Sequence, residues 1–225
     1  MKRHLPVLVS LLIVLSLVLA GCVQPASEQS GSADPAGATL KAKVAIVVPL
    51  SGDVKTFGES TRNGALMAME EAEGVEFETV IADSKCDAQE AANAANKVIF
   101  EDGVQYIIGE VCSSASIPVS ELAEANRVLQ ITPTSTNPTV TVNEDGTTKQ
   151  YVFRACFLDP FQGQAIAALA RQLGKSRAAV LYDVGNDYVK GLAEYTRDAF
   201  VAMGGEVLVY EAYTKDDTDF SGILG

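Results

Sequence analysis

The regular alternation of strand patterns and helix patterns from Lys43 onward constrains the fold of this chain more than any other feature. Short β-branched runs are each followed by a segment with helical apolar spacing, and the connections between them are short. Such alternation predicts an α/β fold, a doubly wound parallel sheet with right-handed crossovers and helices on both faces. Strands are predicted at residues 43–50, 75–82, 105–109, 128–131, 177–182 and 206–210, and helices at 59–73, 87–101, 117–126, 160–173 and 188–203.

The alternation is interrupted between residues 139 and 153. Residues 139–142 and 149–153 flank Asn143-Glu144-Asp145-Gly146, a pattern that predicts a β-hairpin. The alternation then restarts, so we predict a domain crossing near residues 154–159, between a first α/β lobe (41–153) and an incomplete second lobe (154–225). A second lobe with about two strands is too small to bury a good core. We interpret it as the product of a C-terminally truncated coding region, with a short natural variant as the alternative.

The first 40 residues predict export and tethering. Lys2 and Arg3 precede an apolar run over residues 5–20, which is too short for a spanning helix and is typical of a secretory signal over residues 1–21. Leu19-Ala20-Gly21-Cys22 is similar to a bacterial lipobox, which implies cleavage before Cys22 and lipidation of that cysteine. An ordinary signal peptide that contains a cysteine is the alternative. Residues 22–40 are rich in Ser, Gly, Ala and Pro and predict a flexible tether, which would place the folded part outside the cytoplasmic membrane.

Charge and the single histidine exclude several functions. Removal of residues 1–21 would leave 15 basic against 29 acidic residues, a net charge of −14. An acidic body argues against nucleic-acid binding, which depends on Lys and Arg at the phosphates. His4, the only histidine, lies in the predicted signal. Catalysis by Ser–His–Asp or Cys–His groups and zinc sites with histidine ligands are therefore not available within the body of the chain.

Three cysteines remain in the body, and no C-x-x-C pair occurs among them. Cys86 and Cys112 each follow the end of a predicted strand. Neighbouring parallel strands would bring the two to one sheet edge, so we predict a disulfide between them, which an extracytoplasmic protein permits. Cys156 is then expected to be a free, buried thiol. Three reduced thiols are the alternative.

The stretch from Ile107 to Ser116, IIGEVCSSAS, carries the clearest functional pattern. A strand, a tight turn and a helix start place backbone N–H groups and hydroxyls at the carboxyl edge of a parallel sheet, where open α/β proteins bind ligands. A helix N-terminus carries about half a positive charge, which suits a carboxylate or a phosphate. The alternative is that Ser113 and Ser114 only cap the helix.

Taken together, these residues resemble the periplasmic leucine/isoleucine/valine-binding proteins of branched-chain amino acid ABC transporters, which have the type I periplasmic binding fold. The resemblance runs in order from Lys43 to the end. The matching pieces are Pro49-Leu50-Ser51-Gly52, Phe57-Gly58, Asp83 with Cys86-Asp87, Ala91 to Val98, Ile108-Gly109, Cys112-Ser113-Ser114, Thr132-Pro133, Ser135 to Pro138, Phe153-Arg154, Asp159 with Gln162-Gly163, and Asp183 with Tyr188 and Gly191-Leu192-Ala193.

The resemblance implies two α/β domains that close over an amino acid. It assigns the ligand carboxylate to the hydroxyl and N–H of Ser113, and the ligand's amino and carboxylate groups to the Ser135 carbonyl and the Thr136 hydroxyl and N–H. Cys112 matches a half-cystine beside this site, and Phe57 and Tyr188 match aromatics that wall and close the cleft. A plain turn at residues 132–138, and core roles for Phe57 and Tyr188, are the alternatives.

The chain departs from the family's pattern in one respect. An acidic side chain and another aromatic normally come from later in the second domain, so this chain is expected to bind weakly or not at all by itself. We expect no enzyme activity and no cofactor. The predicted function is a solute-binding lipoprotein of an ABC importer, which binds a branched-chain or other hydrophobic amino acid, or a related small amide, and delivers it to the permease and ATPase subunits.

Two other functions are compatible with parts of this sequence pattern. A ligand-sensing ectodomain of the same fold is the alternative. A hydrolase with Ser113 as nucleophile lacks a histidine base, and IIGEVCSS is not a G-x-S-x-G elbow.

Overall fold

The computed structural model describes residues 39–224, and its main feature is a five-stranded sheet in the order β2-β1-β3-β4-β5. All four strand pairs are parallel. The strands are β1 (Leu40–Val48), β2 (Val75–Asp83), β3 (Tyr106–Gly109), β4 (Leu129–Thr132) and β5 (Val152–Arg154). The predicted signal over residues 1–21, Cys22 and most of the predicted tether lie outside the described residues. Leu40, which was assigned to the tether, begins β1 instead.

Helices connect these strands and cover the sheet unequally. They are α1 (Lys55–Glu71), α2 (Ala88–Asn96, continued by a π-helical turn at Lys97–Glu101) and α3 (Ser113–Asn126). Five consecutive residues of β1, 44–48, are buried, as expected for a central strand covered on both faces. On one face, alanines of α2 and α3 pack on the strands: Ala91, Ala95, Ala115 and Ala123 are fully buried. These small side chains allow close contact between helices and sheet.

Among the described elements, α1 is the helix that packs on the opposite face of the sheet. Leu66 and Met69 of that helix pack on Ile46 and Val48 of β1. Beside them lies a cavity of about 340 Å³ whose lining is almost entirely apolar and includes Phe77, Ile108 and Ile131. Ile131 is 40% exposed, so this part of the sheet face is open to solvent.

The remaining described elements form a two-stranded parallel sheet with two long helices. They are α4 (Asp159–Gln172), β6 (Arg177–Asp183), α5 (Asp187–Ala202), β7 (Glu206–Tyr213) and a final helical turn, α6 (Ser221–Leu224). Within residues 39–224, we find no helix with the length and apolar character that a membrane span requires. The limits predicted for the lobes, 41–153 and 154–225, remain a prediction.

The predicted parallel α/β architecture is confirmed, whereas the hairpin predicted over residues 139–153 is reduced to a short antiparallel turn around residues 143–147. Pro138–Val140 form a 3₁₀ helix, which Asn137 caps by accepting a hydrogen bond from the N–H of Thr139. An isolated bridge between Val142 and Thr148 is the antiparallel pairing formed in this segment. Strand β5 follows this segment and pairs in parallel with β4. The chain between them therefore runs back to the edge of the sheet at which the strands begin.

Two helix starts also differ from the prediction. Helix α1 begins at Lys55 instead of residue 59, so Phe57 lies in its first turn. Helix α3 begins at Ser113 instead of residue 117, with Cys112 as its N-cap. The serines of the CSS sequence are therefore the first residues of the helix itself.

Candidate functional site

Polar segments meet where β1 to β4 end, at one edge of the five-stranded sheet, because parallel strands bring their carboxyl ends together. At the β1–β2 end, the Asp83 carboxylate accepts hydrogen bonds from the Leu50 N–H (2.8 Å), the Ser51 hydroxyl (2.6 Å) and the Lys85 N–H (2.9 Å). Burial acts to raise the pKa of Asp83, but these hydrogen bonds outweigh it and lower the pKa. This carboxylate therefore ties the ends of β1 and β2 together.

The predicted ligand residues Ser113, Ser135 and Thr136 lie together beside this edge, and we call them the cradle. All three are at least 94% buried. The Ser113 hydroxyl accepts a hydrogen bond from the Asn137 N–H at 3.3 Å, which joins the first turn of α3 to the turn after β4. The alternative that residues 132–138 form a plain turn is compatible with this link, so the ligand roles of Ser135 and Thr136 stay predictions.

One predicted contact is used differently in the structure. The Ser135 carbonyl, expected to face the ligand's amino group, accepts a hydrogen bond from the Arg154 guanidinium and a weaker one from the Cys156 thiol at 3.5 Å. Arg154 also donates to the Asn137 carbonyl at 2.9 Å. Because β5 lies beside β4, its arginine reaches the turn and occupies the carbonyl.

The start of α5 covers the cradle. The Ser114 hydroxyl accepts a hydrogen bond from the Asp187 N–H at 2.9 Å, and the Asn137 side-chain amide donates to the Asp187 carbonyl, also at 2.9 Å. Both bonds end on one residue at the N-terminus of α5. The helix that follows β6 is thus fixed on the turn that holds Thr136.

The two predicted aromatics have different environments. Phe57 is 61% exposed, so it is not a core residue. Tyr188 is half-buried in the first turn of α5, next to Asp187, and its hydroxyl accepts a hydrogen bond from the Gln162 side chain at 2.8 Å. Tyr188 therefore lies near the cover of the cradle, and roles for both residues in ligand contact remain predictions.

Asp159 is a site residue that the sequence did not reveal. Its side chain is fully buried at the N-terminus of α4, its N–H donates to the Thr136 carbonyl at 3.0 Å, and neither carboxylate oxygen has a hydrogen-bond partner in the described residues. Burial raises the pKa of Asp159, while the nearby Thr136 hydroxyl and Arg154 guanidinium act to lower it. Its place among the matching residues was visible in the sequence, but its burial was not.

Glu110, which directly follows β3, is a second buried acid that the sequence did not indicate. The Ser84 hydroxyl and the Cys112 N–H each donate a hydrogen bond to its carboxylate at 2.6 Å. Burial raises the pKa of Glu110, although these hydrogen bonds oppose the shift, and the nearby charge of Asp83 adds to it. The carboxylate thus links the segment after β2 to the N-cap of α3.

We expect Glu110→Gln to change how stability depends on pH. With a folded-state pKa above the ordinary 4.5, Glu110 favours the folded protein fully below about pH 4.5 and loses that contribution as the pH rises through the folded-state pKa. Glutamine keeps an acceptor for Cys112 without a titrating charge. The free energy of unfolding of the variant should therefore rise relative to the unmodified protein with increasing pH, by about 1.4 kcal/mol per unit of pKa shift.

Urea denaturation at a series of pH values between about 4 and 7 measures this difference. Glu144→Gln, which removes an exposed carboxylate, is the control. Parallel pH profiles for Glu110→Gln and the unmodified protein would contradict the prediction.

The cysteines of the body divide into a linked pair and a free thiol. Cys86 and Cys112 form a disulfide with Cα atoms 5.6 Å apart, which links the end of β2 to the N-cap of α3. Cys156 is free and half-buried, not fully buried as expected. Within residues 39–224, no group of three or more His, Cys, Asp or Glu side chains is placed to hold a metal ion.

A parallel sheet whose carboxyl edge presents a helix N-terminus, followed along the chain by a second parallel sheet with its own helices, defines an α/β protein of the class whose ligand sites lie at strand ends. The family model described as periplasmic binding protein matches residues 41–225. The chain therefore belongs to the periplasmic binding protein family, with the type I fold.

Among the individual proteins that the chain resembles are several amino-acid-binding proteins. The Leu-, Ile-, Val-, Thr- and Ala-binding protein of Pseudomonas aeruginosa is 34% identical over 189 residues, which are 81% of this chain and 49% of the relative. A crystal structure of a leucine-binding protein from Thermotoga maritima is 39% identical, with a TM-score of 0.74, and the match covers 80% of this chain and 51% of that one.

A branched-chain amino acid binding protein of Streptococcus pneumoniae, solved with isoleucine, is 27% identical, with a TM-score of 0.70 and a match that covers 82% of this chain and 53% of that one. The chain thus spans about half the length of the relatives that it matches.

Proposed function

We propose that this chain belongs to an extracytoplasmic solute-binding lipoprotein of an ABC importer, anchored through Cys22, that binds a branched-chain or other hydrophobic amino acid. In this proposal it delivers the ligand to a membrane permease driven by an ATPase subunit. The family match and relatives whose names or titles state leucine, isoleucine and valine binding support the proposal.

The observation that carries the ligand class is the pairing of opposite charges at the cradle. The first N–H groups of α3 have no acceptor within the helix, and the helix N-terminus favours an anion. Asp159, whose N–H donates to the Thr136 carbonyl, is buried, and its carboxylate has no hydrogen-bond partner among the described residues. A free α-amino acid carries both matching groups, a carboxylate and an ammonium.

The enclosed state of the cradle fits a site that opens to admit its ligand. Asp187 is held by two hydrogen bonds, one to Ser114 and one to Asn137. Each contributes about 1 kcal/mol, so the cover can separate at small cost. Ligand entry would exchange these contacts for contacts with the carboxylate and the ammonium group.

We expect leucine, isoleucine or valine to bind weakly to this chain, and Ser113→Ala and Thr136→Ala to weaken that binding by about tenfold or more each, because each loses a hydrogen bond to a charged group. Isothermal titration of the purified protein measures this, with NMR chemical shifts for millimolar affinities. Ser176→Ala, which alters an exposed hydroxyl far along the chain, is the matched control.

Two leucine analogues separate the charged groups. 4-Methylpentanoate keeps the carboxylate and lacks the ammonium, and 3-methylbutylamine keeps the ammonium and lacks the carboxylate. Both should bind more weakly than leucine, and Asp159→Asn should reduce the difference between leucine and 4-methylpentanoate. Binding of leucine that is no tighter than binding of either analogue would contradict the ligand assignment.

A further inference from the structure

Glu110 lies between all the segments that form the cradle, although it is fully buried and is not itself one of the ligand residues. Its carboxylate receives the Ser84 hydroxyl from the end of β2 and the N–H of Cys112, the N-cap of α3. Both distances are 2.6 Å, at the short end of the range for hydrogen bonds in proteins. The side chain therefore fixes the residue from which α3 starts.

The main-chain carbonyl of Glu110 has an equally unusual environment. It accepts hydrogen bonds from the hydroxyls of Ser116 (3.0 Å), Thr132 (2.6 Å) and Ser135 (3.1 Å). These donors come from the second turn of α3, the end of β4 and the turn after it. One residue thus connects the two segments that carry Ser113 and Thr136.

The disulfide and the carboxylate act on Cys112 from two sides. Its sulfur is linked to Cys86, which fixes the side chain, and its N–H is held by Glu110, which fixes the backbone. A helix start whose N-cap is fixed in both ways presents its first N–H groups in one direction. The direction matters because the anion-binding capacity of a helix N-terminus depends on those groups.

We propose that Glu110 is the positioning residue of the cradle, which sets the start of α3 and the turn after β4 in the register that the ligand carboxylate requires. This inference rests on the proposed function. It predicts that leucine affinity depends on the length of the side chain at position 110 and on its hydrogen-bond acceptor, and does not depend on its negative charge. Glutamine keeps the reach and one acceptor oxygen for the Cys112 N–H, and its amide N–H can donate to the Ser84 hydroxyl, whereas aspartate is one methylene shorter and alanine has no acceptor.

The experiment compares Glu110→Gln, Glu110→Asp and Glu110→Ala by leucine titration and by amide hydrogen exchange. Glu110→Asp and Glu110→Ala should weaken leucine binding about tenfold, and Glu110→Gln should stay within about threefold of the unmodified protein. Amides of residues 112–116 should exchange about tenfold faster in the Asp and Ala variants, whereas amides of β6 and α5 should keep their rates.

Lys149→Met is the matched control for general destabilisation. Lys149 is also buried, and its ammonium donates to the Ser120 hydroxyl at 2.7 Å and the Thr139 carbonyl at 3.1 Å, two turns along α3 from Ser113. Its replacement should lower the melting temperature and leave the affinity for leucine, and exchange at residues 112–116, unchanged. A residue that supported only overall stability would give the same pattern as Lys149.

Each outcome decides between the possibilities. Unchanged affinity and exchange in Glu110→Asp would overturn the proposal, and so would a loss of affinity in Glu110→Gln equal to that in Glu110→Asp. If Glu110→Ala does not fold, the Gln and Asp variants still decide. If the unmodified protein binds no amino acid, the proposed function fails, whereas the exchange rates still show whether Glu110 positions the start of α3.

Discussion

Replacement of Gly109 by alanine is expected to abolish the cooperative folding of the five-stranded sheet. Gly109 has a φ of +122°, and a Cβ atom built on it would overlap the carbonyl oxygen of Val47. These two residues are register partners in the β1–β3 pair, and β1 is bordered by β2 on its other side. Neither strand can move away without breaking a ladder of the sheet.

The size of this effect follows from the stability of an ordinary domain. Backbone strain at such a position costs about 1–3 kcal/mol by itself, and an overlap with main-chain atoms of a fully buried strand adds to it. Domains of this size are stable by about 5–15 kcal/mol. We expect Gly109→Ala to show a far lower melting temperature or no thermal transition in circular dichroism.

Gly64→Ala is the matched control for this substitution. Gly64 lies inside α1, and a Cβ atom there would meet nothing within 4 Å. Alanine at an unhindered helix position stabilises by about 0.5–1 kcal/mol, so this variant should melt slightly higher than the unmodified protein. A melting temperature for Gly109→Ala equal to that of Gly64→Ala would contradict the account of the β1–β3 contact.

The strands and most helices were predictable because their signals are local. A buried parallel strand is a continuous β-branched run, and the five buried residues of β1 show that pattern directly. The strands predicted for the hairpin were wrong because their pairing is not a local property of the sequence. Val152 and its neighbours have the composition of a strand, but composition does not state the direction of pairing, which depends on β4 as the neighbour.

The residues of the candidate site also fall into those with a local sequence signal and those without one. Ser113 and Thr136 were predictable because each follows a strand end in a recognisable segment. Glu110, Arg154 and Asp159 were not, because their importance comes from burial and from partners distant in sequence. Glu110, for example, is 26 residues from Ser84 and 25 from Ser135. A charged residue after a strand is ordinarily solvated, and the sequence offers no sign that the next elements will enclose it.

Loss of the Cys86–Cys112 disulfide is expected to have the second-largest effect. The two cysteines are 26 residues apart, so the link restricts the unfolded chain and contributes about 3.5 kcal/mol by loop-closure entropy. For a chain of this size, that corresponds to a melting temperature lower by about 10 °C in the Cys86→Ala/Cys112→Ala double variant, in which alanine adds no side-chain cap at the start of α3. Calorimetry of the two proteins measures the difference.

The same variant also tests whether the disulfide contributes to the start of α3, since Cys112 would keep only its hydrogen bond to Glu110. Cys156→Ser is the matched control, because a hydroxyl can still donate to the Ser135 carbonyl and no loop is opened. It should melt within about 2 °C of the unmodified protein, because an isosteric change that keeps a hydrogen bond has a small effect. Equal melting temperatures for the double variant and Cys156→Ser would mean that the disulfide does not stabilise the fold. A lower melting temperature in the double variant, with faster exchange at residues 112–116, would show that the bond stabilises the fold and also holds the helix start that carries Ser113.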